Sequence, residues 1–382
     1  MALNKDGIIV FGADPKFAIG EYATVDVQLR FGDYDRNGVV PISILMNLAA
    51  ECRVVSFVGG PQETLKDPND PLSALMVKSQ HVKLRRRVDS RLLKEFGAWP
   101  VFVRIEQRLV SVGTSSVHFF MQFWLSSGSP VPQENAESIR LRRATANCAP
   151  LLIAEGTVSL VHTRRGKPSP LTPRVRGSES RLRKVAETDE RLAEFLEKGR
   201  AALKVKGGEG EIATSAFRGL ANSEEAAGVH RRKVILRPSE IDVNQHVTHW
   251  AYARLFEDAV AAIVPEVVRG RSFISSLHVE YVRELTPERE WLESPEIWMM
   301  EEDSGWGSGV SQMRAFGVEI RSAQMGGGIL GEQLQKSDGG NGGILFCRGR
   351  VVVVEAYKQP EEADEHVKQI DKKEIGKYPS RL

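Results

Sequence analysis

Cysteine is scarce in this chain. Only Cys52, Cys148 and Cys347 occur in 382 residues. An odd number, widely spaced, excludes a disulfide framework and the paired spacing of a zinc site, and it favours a reducing compartment. Charge of one sign is also scarce: 52 Lys and Arg stand against 50 Asp and Glu, a net +2. That excludes a chain whose main partner is nucleic acid, which needs a strongly basic face. No apolar run approaches the roughly 18–20 residues of a membrane-spanning helix. A secretory leader is not expected, because Asp6, Asp14 and Glu21 interrupt the N-terminal apolar residues. His81, His118, His162, His230, His278 and His366 have no ligand spacing, so neither a metal nor a cofactor is expected. What remains is 41% hydrophobic and 27% charged, an ordinary globular balance at a length that suits two domains.

Taken in order, the chain alternates at 25–31 as a strand does, then turns through Gly32–Gly38. A helix is expected from Pro41 to Val58, with Ile44, Leu45, Leu48, Ala49, Cys52 and Val55 on one face and Gly59-Gly60-Pro61 as its stop. After a loop at 60–72, strands are expected over 75–88, 100–111, 115–126 and 150–163. The polar stretch 128–149 reads as an exposed hairpin insertion. Residues 164–230 form a linker. It carries one amphipathic helix near 189–205, capped by Thr188, with Leu192, Phe195, Leu196 and Leu203 on one side. From 231 the first pattern returns: a strand at 233–238, a helix at 248–263, and strands near 272–284, 291–300, 311–323 and 344–357. The glycine-rich stretch 325–343 lacks the Gly-Lys-Ser/Thr ending of a phosphate loop and reads as a flexible insertion.

The two halves match without gaps around the start of the helix. Val27-Gln28-Leu29-Arg30 lies against Val234-Ile235-Leu236-Arg237, Asp35 against Asp242, Asn37 against Asn244, and Leu48 against Leu255. A duplicated strand–helix–sheet unit follows. In the second copy Asp242, Asn244 and His246 alternate along a short loop, which places three hydrogen-bonding side chains on one side of it. In the first copy Val39 stands where the second has His246. Imidazole is the one side chain among these whose unperturbed pKa lies near neutrality, so only the second copy is expected to be active. Asp and Asn at such a place also serve as plain helix caps.

These residues resemble the hotdog-fold thioesterases, in particular the double-hotdog acyl-ACP thioesterases of plants and bacteria. The likeness rests on Pro238-Ser-Glu-Ile-Asp-Val-Asn-Gln-His-Val247, on Val279-Glu-Tyr-Val-Arg-Glu284 and on Phe96-Gly-Ala-Trp-Pro100. It implies an α+β fold of two tandem hotdog units, each a long helix wrapped by a curved antiparallel sheet. Residues 1–163 would form a non-catalytic unit, 164–230 the linker, 231–358 the unit with the catalytic motif and 359–382 a polar tail. It implies hydrolysis of fatty acyl-CoA or acyl-ACP thioesters, with Asp242, Asn244, His246 and Glu284 as the catalytic groups. Leu285 stands where the family often has Cys, and Thr248-His249 where it usually has two Asn. The first departure excludes a cysteine nucleophile and leaves water activated by a carboxylate and an imidazole.

Either Glu284 or Asp242 suits the base, Asn244 suits positioning, and backbone N–H groups at the helix start suit polarising the carbonyl. Phe119, Phe120, Phe123 and Trp124 could line an acyl tunnel or simply form core. Arg85, Arg86 and Arg87 lie in a basic run that would attract CoA phosphates or an acidic carrier protein, or be merely solvated. Ser380-Arg381-Leu382 resembles a peroxisomal address. The assembly expected is a monomer or a homodimer. The competing function is a non-catalytic acyl-binding or structural hotdog subunit.

Overall fold

The computed structural model describes residues 22–57, 73–96, 101–127, 150–164, 167–190, 192–203, 228–241, 246–283, 285, 295–302, 313–322 and 345–355. The expected loop at 60–72, both insertions, the tail, Cys148, and Asp242, Asn244 and Glu284 lie outside the described residues.

In the first half, β1 (Tyr22–Gln28) leads through a 3-10 turn at Phe31–Asp33 to α1 (Ile42–Phe57). Then come β2 (Ser73–Leu84), α2 (Ser90–Phe96), β3 (Val101–Val112), β4 (Ser116–Ser127), β5 (Leu151–Arg164) and β6 (Lys167–Pro168). The middle carries α3 (Pro173–Arg176), α4 (Ser178–Ala186) and α5 (192–203). The second half is β7 (Val229–Lys233), a 3-10 turn at Pro238–Glu240, α6 (His249–Ile263), α7 (Pro265–Val268), β8 (Ser272–Tyr281), β9 (Pro295–Glu301), β10 (Met313–Ser322) and β11 (Leu345–Glu355). Helices α2, α3 and α4 were not expected, and the strand expected at 233–238 lies earlier, at β7.

All the strands join one antiparallel sheet in the order β1-β3-β4-β5-β2-β8-β11-β10-β9-β7, with β6 on β5. Outward from its central pair, β2 is followed by β5, β4, β3 and β1, and β8 by β11, β10, β9 and β7. The two halves thus lay out their strands in the same order. His81 faces His278 across the central pair, with Gln80 opposite Val279 and Val82 opposite Leu277. Alternation sends Gln80, Val82, Leu277, Val279 and Tyr281 to one face and His81, Ser276, His278 and Glu280 to the other.

Helices α1 and α6 pack together on the first of these faces. They bury Leu45, Met46, Ala49 and Cys52 from α1 and Tyr252, Phe256, Ala259 and Val260 from α6. The sheet must be bare where the helices press closest. A Cβ on Gly349 would lie 2.5 Å from the Phe256 ring and 2.2 Å from the His278 carbonyl oxygen. The other face of β3 and β4 is covered by α5. Phe195 meets Phe120 edge-on at 4.9 Å between ring centroids, and the Arg108 guanidinium sits 4.7 Å from the Phe195 ring. Phe120 therefore packs on the middle segment and not with Phe119 and Phe123, its neighbours on the opposite face. The α5 cap is Asp189, whose carboxylate accepts the Leu192 N–H at 3.1 Å. Thr188 instead donates to the Val185 carbonyl.

Helix α1 has no capping side chain of its own, because Val40 and Pro41 precede it. Its first free N–H groups are satisfied from the other half. Glu257 of α6 accepts the Ile42 N–H at 2.8 Å and the Ser43 N–H at 3.3 Å, and it bonds the Ser43 hydroxyl. A carboxylate at a helix N-terminus is well placed for the helix dipole. Burial nevertheless dominates and pushes the Glu257 pKa up to about 7, against the opposing pull of the bonds from Ser43 and Ile42. The folded value exceeds the unfolded value, so the native state holds the extra proton between them and its stability falls as pH rises. Between pH 4.5 and 7 this one group is expected to remove roughly 3 kcal/mol of stability. In denaturant unfolding at pH 5 and pH 8, Glu257→Gln should show a smaller drop than the wild type. Equal drops would exclude the assignment.

Candidate active site

The loop before α6 is braced from beneath. Glu240, fully buried, accepts the Arg237 N–H at 2.8 Å, its carbonyl takes the Thr248 N–H at 2.8 Å, and Arg254 of α6 pairs with its carboxylate. Ile241 and Val247 bridge across the loop. Between them stands His246, half-buried, three residues before the first residue of α6. Thr248, the residue before the helix, makes no side-chain cap bond.

The strand end that leads to Glu284 is tied to the same place. Leu285 accepts the Val247 N–H on its carbonyl at 3.0 Å and donates its own N–H to the Tyr252 hydroxyl at 3.0 Å. Tyr281 donates its hydroxyl to the His249 carbonyl at 3.0 Å, and its ring lies edge-on to His249 at 4.8 Å and to Tyr252 at 5.5 Å. The chain next to His246 and the chain next to Glu284 are therefore one hydrogen bond apart. Leu285 is fully buried, an apolar position where the resemblance puts Cys.

The first half has the same backbone plan and different chemistry. Val40 donates to the Val88 carbonyl, as Val247 does to Leu285. The N–H groups of Arg85 and Arg86 both reach the Ile153 carbonyl, as those of Val282 and Arg283 reach Phe346. By that correspondence Arg87 occupies the place of Glu284, and Val39 that of His246. Asp35 turns its carboxylate onto the Asn37 and Val39 N–H groups at 2.8 and 2.9 Å. Asn37 donates to the Val267 carbonyl at 3.4 Å and Arg87 to the Gly270 carbonyl at 3.2 Å. The equivalent corner of the first half is a joint onto the second.

The basic run is largely used internally. Arg85 pairs with Glu155, bonding it through Nε at 2.6 Å. Arg87 holds Gly270 and sits 5.7 Å from the Phe273 ring, while Arg86 is exposed. Ser79 of β2 lies opposite Glu280, near the His246 end of the central pair. Arg85 is six residues further along the chain, roughly 20 Å away at ~3.3 Å per residue. The run and His246 thus sit at opposite ends of the β2–β8 pair. A surface groove of about 570 Å³ lined by Arg183, Leu196 and Arg200 contains none of these residues.

Two residues beside the site, Arg53 and Gln80, carried no motif. Arg53 of α1 is 4% exposed and bonds Gln80 Oε1 at 3.3 Å; Gln80 is fully buried. Arg53 is also close enough to Tyr281 to interact electrostatically with it. Burial pushes the Tyr281 pKa up, so its hydroxyl stays protonated and a donor. Periodicity held one usable signal: Arg53 continues the buried series Ile42, Met46, Ala49, where an arginine is out of place on an apolar face.

No protein-family profile matches the sequence, and no curated protein matches it at a significant level. Solved structures do match its fold. An oleoyl thioesterase (putative) from Lactobacillus plantarum aligns at TM-score 0.51 and 11% identity, over 89% of this chain and 98% of that one. The 12:0-ACP thioesterase from Umbellularia californica aligns at TM-score 0.49 and 14% identity, over 88% and 94%. A protein of unknown function with a hot dog fold from Alicyclobacillus acidocaldarius aligns at TM-score 0.38 and 11% identity, over 91% and 96%. At 11% identity the first of these likenesses is one of fold, and a large antiparallel sheet with few helices fits it.

Proposed function

We propose that this chain is an acyl-thioester hydrolase built from two tandem hotdog units, of which the second carries the chemistry. One observation carries the reading: the chain beside His246 and the chain beside Glu284 are bonded to each other at the start of α6. The corresponding corner of the first half is taken up by Asn37 and Arg87 on backbone carbonyls. Thioester hydrolysis needs an oriented water, a base for its proton and donors for the developing oxyanion. Glu284 or Asp242 is the base, His246 shares that role or protonates the leaving thiolate, and Asn244 positions the water or the carbonyl. The products are a free fatty acid and a thiol.

Phe119 and Phe123, on the helix side of β4, are candidates for the wall of the acyl chain. Of the basic run, the exposed Arg86 is the candidate for meeting a phosphate or an acidic carrier. Ser380-Arg381-Leu382 is proposed as an organelle address, and removing it should return a fluorescent fusion to the cytosol. The activity is tested by thiol release from acyl-CoA esters of 8 to 18 carbons and from acyl-ACP. Turnover of either class supports the hydrolase. Binding without release would establish the acyl-binding alternative instead.

A further inference from the structure

Two donors in the layer between the helices and the sheet are unused. Arg53 Nη1 and Gln80 Nε2 are both buried from solvent and have no hydrogen-bond partner among the described residues. An orphaned buried donor is costly, about 1–3 kcal/mol and more for a charged group, and an arginine is seldom fully buried unless paired. Here the arginine has no carboxylate among the described residues. Among the described residues its one side-chain bond is to the Gln80 oxygen, which turns the Gln80 amide N–H₂ outward from that contact. Burial lowers the Arg53 pKa to about 10, which leaves it charged at neutral pH. The pair belongs to the first half, yet it lies by Tyr281, whose hydroxyl and ring hold His249 at the start of α6.

We propose that Arg53 and Gln80 hold the acyl carbonyl oxygen of the substrate as it becomes an oxyanion, so that the first half completes the site of the second. This rests on the hydrolase reading above. Water oxygen bonds to the thioester carbon and gives its proton to the base. The carbonyl π electrons move onto oxygen, where the Arg53 and Gln80 N–H groups receive them. The C=O bond then re-forms, the C–S bond breaks, and the thiolate leaves to be protonated. The same two donors would hold the carboxylate of a free fatty acid, which presents the same charge at the same carbon.

Arg53→Met, Arg53→Lys and Gln80→Met separate the possibilities. Arg53→Met should lower kcat about 10²–10³-fold with little change in KM, the pattern for an interaction made only in the transition state. Arg53→Lys should recover part of the loss and Gln80→Met should lose about tenfold. Calorimetry with dodecanoate and hexadecanoate, each against its matching alcohol, gives a readout independent of turnover. The wild type should prefer the acid at least tenfold, and Arg53→Met should lose that preference while keeping affinity for the alcohol. Unchanged kcat and unchanged acid preference in Arg53→Met would overturn the proposal, and if that variant does not fold, Arg53→Lys and Gln80→Met carry the same two readouts. A wild type that prefers the acid through Arg53 yet releases no thiol would sink the hydrolase reading and leave the anion site standing. A wild type that hydrolyses thioesters, with Arg53→Met equally fast and unchanged in acid preference, would do the reverse.

Discussion

His246→Ala is expected to lower kcat/KM for acyl-thioester hydrolysis by roughly 10²–10⁴-fold, the range for loss of a positioned general acid or base. The fold should not suffer. His246 is half-buried, and Ile241, Val247 and Leu285 hold the loop around it through backbone contacts that need no imidazole. The first half supplies its own control. Val39 stands at the matching place, buried, with its N–H on Asp35. His246→Val should therefore melt within a few degrees of the wild type and be as inactive as His246→Ala. Wild-type kcat/KM in both variants, measured by thiol release over a range of substrate concentrations, would remove the imidazole from the mechanism.

Gly349→Val should be the most damaging single change to the fold. Its first added carbon would fall 2.2 Å from a backbone oxygen of β8 and 2.5 Å from the Phe256 ring. Either the β8–β11 ladder opens or α6 lifts from the sheet. Neither adjustment is local, because α6 carries the loop brace at Arg254 and the α1 cap at Glu257. Overpacking in a buried, well-packed position costs about 1–3 kcal/mol and more where backbone must move. We expect the upper end or beyond, with poor recovery of folded protein. Gly156 has the matching place in the first half, 2.4 Å from the His81 carbonyl oxygen, but its side-chain neighbours are Val82 and Met121 at 3.2 and 3.3 Å. A methionine end can swing aside where an aromatic ring cannot. Gly156→Ala should therefore melt above Gly349→Ala, and the opposite order in differential scanning calorimetry would refute this account.

Long periodic elements were legible in the sequence. The two main helices fall within a residue or so of the expected spans, and β3, β4, β5 and the last four strands fall close to theirs, because amphipathic spacing reports burial directly. Short helices in the polar middle were not, since Pro173–Arg176 and Ser178–Ala186 have too few turns to show a period. Thr188 and Asp189 are adjacent and both can cap; only the three-dimensional path shows which one does. The site was partly legible. Its loop announced itself by Asp, Asn and His alternating, and Arg53 left only its place on an apolar helix face, whereas Gln80 and Glu257 gave no local pattern. Their partners lie 27 and 215 residues away; the first contact exists only once α1 packs on β2, the second only once the halves pack.

The cap that Glu257 places on α1 has a consequence for biosynthesis. The carboxylate lies 215 residues downstream of the N–H groups it satisfies. A ribosome adding about 5–20 residues per second needs on the order of 10–40 s to cross that interval. Throughout it, the first turn of α1 stays uncapped and the face that α1 turns to α6 stays uncovered. The N-terminal half should therefore depend on holding chaperones while nascent, and released alone it should be a poorer folder than its own core composition suggests.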